Sequence, residues 1–125
     1  MKKQRLSSDI ISMLEFRIQQ EEYSARLYEQ MGLWLNDVGF VNSSKVWIQY
    51  GKEELTHAEW SKSFLLDYGV MPRLMNLNAP NPSLLSFQNI VEESYEHEEL
   101  VTSQVNELYE FALNKGHYQL LELAR

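Results

Sequence analysis

Between residues 8 and 36 the positions Ile11, Leu14, Ile18, Glu21, Ala25, Tyr28, Gly32 and Leu35 recur at alternating spacings of three and four. Such spacing marks one face of an amphipathic helix, the face that turns inward when helices pack. A second stripe runs Trp47, Tyr50, Glu54, His57, Ser61, Phe64, Tyr68, and a third runs Phe87, Val91, Ser94, Glu98, Val101, Val105, Leu108, Ala112. Each stripe carries a glutamate near its middle. A buried carboxylate is strongly unfavourable unless it is paired or bound to a cation. No Lys or Arg lies on any stripe, so pairing with a core base has no partner there. Three acids at one level, with a histidine one turn on from the second, predict a metal site inside a helical bundle.

Punctuation along the chain sets the element bounds. Ser7-Ser8-Asp9 offers N-cap residues, and turn residues cluster at Asn36-Asp37-Val38-Gly39, giving a first helix over 8–36. The second helix is expected over 43–68, stopped by Gly69 with Pro72 beyond it. Pro72, Pro80 and Pro82 make 70–86 irregular, and Asn78-Ala79-Pro80-Asn81-Pro82 reads as connection only. A third helix follows Ser86 over 87–115, and a fourth pattern starts at 117 with Leu120, Leu121 and Ala124. Short turns join helices one to two and three to four as antiparallel neighbours. The long connection between two and three can cross the bundle and leave them parallel. The expectation is a single all-α domain over 1–125, a four-helix bundle with one long crossover and an incomplete fourth helix. Glu21 lies 18 residues before Gly39 and Glu54 lies 15 after it. At about 1.5 Å per residue these are about 27 and 23 Å from the turn, so the two carboxylates meet at one depth.

Composition narrows the chemistry. Apolar residues make up 44% of the 125 residues, enough for a core. The absence of cysteine removes disulfides, zinc–thiolate sites and iron–sulfur clusters. A net charge of −7 disfavours nucleic acid and anionic lipid as partners and favours cations. No apolar run is long enough for a signal peptide or a membrane span, so the expected location is cytoplasmic.

Glu54-Leu55-Thr56-His57 is a Glu-x-x-His unit, whose carboxylate and imidazole share a helix face and can ligate one ion. Alone the pattern is common by chance; its place on the inner stripe gives it weight. Glu22 adjoins Glu21, and Glu99 adjoins Glu98; the spacing selects Glu21 and Glu98 as the inward acids and leaves their neighbours to solvent. His97 is one position off the stripe and reads as a supporting or surface histidine. Oxygen-rich ligation with one imidazole suits iron or manganese better than copper or structural zinc, and a shared carboxylate suggests two metals. Tyr28 sits two turns from Glu21 on the same stripe, either as core packing with a satisfied hydroxyl or as a redox-active or hydrogen-bonding neighbour of the metals. Trp34, Trp47 and Trp60 read as packing residues.

Glu21-Glu22-Tyr23-Ser24-Ala25-Arg26-Leu27-Tyr28-Glu29-Gln30-Met31 resembles the first-helix signature of bacterial non-haem ferritins, and Lys52-Glu53-Glu54-Leu55-Thr56-His57 resembles their second-helix motif. Gly69 to Arg73 resembles the start of their crossover, and Tyr95-Glu96-His97-Glu98 with Val105-Asn106-Glu107-Leu108 resembles their third helix. The match covers nearly the whole chain, with motif spacings that agree without gaps. It implies that Glu21 and His57 ligate a first iron, Glu54 bridges two, Glu98 ligates the second, Tyr28 stands beside the pair and Glu53 belongs to an outlying third site. Bacterioferritins are a poorer match, because Leu55 stands where their haem-ligand methionine follows the bridging glutamate; no haem is expected.

The resemblance further implies a ferroxidase that oxidises Fe(II) with dioxygen and stores ferric mineral in a homo-oligomeric shell, of 24 subunits for a full-length chain. Family members continue through a complete fourth helix that supplies another ligand to the second iron, whereas this sequence stops at Arg125 in mid-pattern. It is expected to be a fragment or a truncated form, with an apolar groove that favours association. Two other readings stay open. One is a truncated ferritin-like metal-binding or assembly protein without full ferroxidase activity. The other is a rubrerythrin-like di-iron peroxidase, which ranks lower because Val101 stands where a second Glu-x-x-His unit would need histidine.

Overall fold

A computed structural model of the chain describes residues 5–117 and 119. Three long helices are seen among these residues: α1 (Ser8–Asp37), α2 (Val41–Asp67) and α3 (Phe87–Asn114). The stub expected from 117 lies, apart from His117 and Gln119, outside the described residues. No helix among the described residues is long and apolar enough to cross a membrane.

The helix ends follow their punctuation. The Ser7 side chain accepts from the Ile10 amide (3.3 Å), and Ser86 does the same for Asn89 (3.0 Å), capping α1 and α3. Gly39, Gly69 and Gly116 all take positive φ just past a helix end, where glycine has no Cβ to clash. After Gly69 the Val70 amide returns to the Leu65 carbonyl (2.9 Å), and after Gly116 the His117 amide returns to Ala112 (3.0 Å). The first turn is tighter than expected. The Phe40 amide closes onto Leu35 (2.8 Å) while the Phe40 carbonyl already accepts from Ser44 (2.9 Å), so α2 starts at Val41 and not at Ser43. Phe40 makes no side-chain cap; its ring packs on Phe87 at 5.0 Å.

Cross-helix contacts fix the directions. Ser44 donates to the Gly32 carbonyl (2.7 Å) and Lys62 pairs with Glu22 (2.7 Å), so α1 and α2 are antiparallel. Ser24 meets His97 and Met31 meets Ser94, so α3 is antiparallel to α1 and parallel to α2. The crossover that this requires is the extended 70–86 segment. It is tied to α1 by Glu15, which accepts from the Arg73 amide (2.8 Å), and by Gln19, which donates to the Asn76 carbonyl (2.7 Å).

Small residues line the α1–α2 seam. Gly51 approaches so closely that a Cβ there would stand 2.9 Å from the Ala25 carbonyl oxygen, and one at Gly32 would stand 2.8 Å from the tip of Ile48. The fully buried set of α2 is therefore Ser44, Gly51, Glu54, Ala58, Ser61 and Leu65. Trp47, Tyr50, His57, Phe64 and Tyr68 of the expected stripe lie on its flank, half-buried or exposed. The stripe was read from side-chain size, whereas the seam selects residues that let two backbones approach.

The apolar core has two parts. One gathers Leu14, Ile18, Ala58, Leu65, Leu108 and Ala112, and the other gathers Leu27, Tyr28, Met31, Leu35 and Ile90. Between them along α1 sits Glu21. The Gly51→Ala variant should melt several degrees below the parent: displacing the Ala25 backbone costs about 1–3 kcal/mol, which exceeds the gain of about 1 kcal/mol in helix propensity. Thermal unfolding followed by circular dichroism checks this, and an equal or higher midpoint would mean the helices stand further apart.

Candidate metal centre

The close seam of α1 and α2 places Glu21 opposite Glu54 and His57. One ligand atom from each of the three lies within 4.8 Å of the others. His57 Nδ1 is 4.0 Å from Glu21 Oε2 and 3.9 Å from Glu54 Oε2. Glu21 is 5% exposed and Glu54 8%, which few acids without a partner tolerate. Glu21 Oε1 and Glu54 Oε2 are buried and make no hydrogen bond among the described residues. Two orphaned carboxylate oxygens beside an imidazole fit a divalent cation of hard or borderline character.

Electrostatics agree with that deficit. Burial pushes the Glu21 carboxyl up from an ordinary 4.5 to about 7, against the opposing pull of Arg17. Burial also raises Glu54 to about 7, helped by the nearby charges of Glu98 and Glu21. Burial lowers the His57 pKa, which favours the neutral imidazole that a metal needs.

The base that the stripes lack does exist. Arg17, one position off the α1 stripe, places Nε 3.4 Å from Glu21 Oε2. The expectation that Glu21 has no basic partner is corrected here: a long side chain four residues earlier reaches the carboxylate from beside the stripe. The i, i+4 spacing of Arg17 and Glu21 was the available signal.

Glu98 and Glu53 stand apart from the three. Both are exposed, and both open with Tyr28, Glu54 and His57 onto a cleft of about 490 Å³ between the helices. The structure thus brings Glu98 to the expected level without burying it. Its carboxylate accepts a hydrogen bond from the Tyr28 hydroxyl. Tyr28 is fully buried, and burial followed by this bond drives its pKa upward, so it stays a protonated donor. Trp47, half-buried, donates to Ser94 (2.9 Å) on the wall of the same cleft.

His97 supports this arrangement from behind. Its Nε2 is 2.6 Å from Ser24 Oγ, and its ring meets the Tyr28 ring edge-on, with centroids 5.7 Å apart. The Ser24 hydroxyl donates its one hydrogen to the Gln20 carbonyl (2.9 Å), so His97 Nε2 is the donor toward Ser24. Glu22 leaves the core sideways and pairs with Lys62; it is held, not free in solvent.

A pH dependence follows. Between about 4.5 and about 7 the folded protein retains protons on Glu21 and Glu54 that the unfolded chain releases. The metal-free protein is therefore expected to lose stability as pH rises through that window and to level off above it. Urea midpoints in chelator at pH 5 and pH 7.5 test this: the midpoint should fall, and Glu54→Gln should flatten the fall. A midpoint that rises with pH would contradict the placement of both acids.

Among known proteins, the ferritin-like domain family matches residues 11–125. Over 113 residues the chain is 30% identical to the bacterial non-heme ferritin of Escherichia coli O6:H1, covering 90% of this chain and 68% of that protein. It is 32% identical over 103 residues to a probable bacterial non-heme ferritin-like protein of Haemophilus influenzae, covering 82% of this chain and 62% of that one. Its fold superposes on an open pore ferritin from Archaeoglobus fulgidus with a TM-score of 0.90 at 28% identity, over 95% of this chain and 73% of that one.

Proposed function

The chain belongs to the ferritin-like domain family, and from that premise we propose that it is a cytoplasmic iron-storage ferritin. It takes Fe(II) as substrate at the waist of the bundle, oxidises it with dioxygen and passes ferric iron to a mineral held in a shell of identical copies. The observation that carries this reading is the group formed by buried Glu21 and Glu54 with half-buried His57, one ligand atom of each lying within 4.8 Å of the others.

Each residue then has a distinct part. Glu21 and His57 hold the first Fe(II). Glu54 belongs to the group with Glu21 and His57 and also lines the cleft with Glu98, which supports a bridging role between two ions. Glu98 takes the second ion, oriented by the hydroxyl of Tyr28. Glu53, exposed on the same cleft, belongs to an outlying third iron position. Each Fe(II) gives up one electron to dioxygen. Binding of the cations releases the protons that burial holds on Glu21 and Glu54, and it removes the cost of two buried acids. The protein contributes fixed ligands with open coordination positions toward the cleft.

A second reading is favoured by one observation: Glu98 is exposed and stands outside the group of three. In that reading the chain binds a single ion and oxidises iron poorly. Anaerobic Fe(II) titration separates the two. The ferritin reading expects two tight equivalents per chain, one of them lost in Glu98→Gln. It also expects Glu54→Ala to abolish tight binding while Glu53→Ala, about 100° away around the helix, leaves the paired equivalents intact. One equivalent in the parent chain, unchanged by Glu98→Gln, would establish the second reading. Equal losses at Glu53 and Glu54 would show that the inward face of α2 has been misassigned.

A further inference from the structure

Arg17 is the one strong base in contact with the proposed metal ligands among the described residues. Its Nε lies 3.4 Å from Glu21 Oε2, the same oxygen that is 4.0 Å from His57 Nδ1. Its side chain is only 16% exposed, and Nη1 is buried without a hydrogen-bond partner among the described residues. The guanidinium is thus held at this carboxylate with part of its bonding capacity unused. An isolated structural ion pair would use the fork of donors more fully.

Beside Arg17 lies a cavity of about 300 Å³ between α1 and α3, lined among others by Gln20, Glu21, Ser24, Gln104 and Glu107. Arg17 itself lines this cavity, so the guanidinium has space to leave Glu21; the walls are largely apolar, with Met13, Phe16, Val105 and Leu108, and the exposed Glu107 is the other carboxylate among the lining residues.

We propose that Arg17 is a built-in cation that occupies Glu21 in the metal-free protein and must leave it before a divalent ion binds, so that Arg17 sets the metal concentration at which the site fills. The inference rests on Glu21 being a metal ligand. The Glu21 oxygen that Arg17 holds, Oε2, is the one 4.0 Å from His57 Nδ1, so an ion shared by Oε2 and His57 meets the guanidinium there and is repelled by it. In the metal-free state Arg17 offsets part of the cost of burying Glu21. In the loaded state the ion takes over that role and Arg17 turns into the cavity toward Glu107. Arg17 is a positioning residue: it touches the ligand, not the substrate.

Calorimetric titration with Co(II) alone, a redox-stable probe, tests this at fixed pH and salt. Arg17→Gln should bind about tenfold tighter than the parent, equivalent to one charge-assisted hydrogen bond that no longer has to be broken. Arg26→Gln removes the same charge from an exposed position of α1 and should bind as the parent does. Unchanged or weaker affinity in Arg17→Gln, or an equal gain in Arg26→Gln, would overturn the proposal. Glu21→Gln separates the two layers: if it leaves Co(II) binding intact, the ligand reading falls and the proposal falls with it. A second measurement needs no variant. The Arg17 Nε–H resonance in ¹⁵N spectra should be protected in the metal-free chain and lose that protection on saturation with Zn(II). A resonance unchanged at saturation would contradict displacement.

Discussion

Two glutamates buried opposite each other, each with an oxygen that finds no hydrogen bond among the described residues, are the constraint on which this structure turns. Glu21 and Glu54 occupy the place where α1 and α2 would otherwise continue their apolar packing. Burial holds both carboxyls near pKa 7, and among the described residues their one contact with a strong base is the Arg17 pair at Glu21. A fold that buries such groups is destabilised by them unless something positive arrives. The apolar clusters on either side and the tight glycine seam supply the stability that lets the deficit persist.

The same seam explains the precision of the site. Backbone approach at Gly51 and Gly32 locks the rotation and depth of α1 against α2. Glu54 and His57, three residues apart on α2, then face the Glu21 carboxylate on α1 without any loop being involved, and sites on rigid elements hold geometry better than sites on loops. The third helix is attached more lightly. Its acid, Glu98, is steered by the Tyr28 hydroxyl, and Tyr28 is itself backed by His97 and Ser24. Two parts therefore meet at the waist: a closely packed pair of helices carrying the candidate group of Glu21, Glu54 and His57, and a third helix whose Glu98 is exposed to the cleft.

Much of this was legible in the sequence because it depends on local rules. Ser7, Ser86, Gly69 and Gly116 punctuate helices through their own capping chemistry, which needs no tertiary information. Glu21, Glu54 and His57 stood out because polar residues on an apolar stripe contradict the pattern around them. What was hidden depends on contacts across space. The start of α2 moved to Val41 because Phe40 finds a ring partner in Phe87 and does without a polar cap. The buried face of α2 is set by close backbone approach, so its glycine, serine and alanine residues are more buried than Trp47 or Tyr50. Arg17 escaped the stripe reading because a residue beside a stripe can still reach it with a long side chain. The partner of Tyr28 was hidden as well, since nothing local pairs it with a carboxylate seventy residues away.

The central claim is that the buried acids at the waist exist to hold iron. Anomalous diffraction at the iron edge, from crystals soaked anaerobically in Fe(II), tests it most directly. The account predicts a peak bounded by Glu21, Glu54 and His57, with His57 as the only imidazole ligand. Iron bound at His97 or His117 with nothing near Glu54 would contradict it.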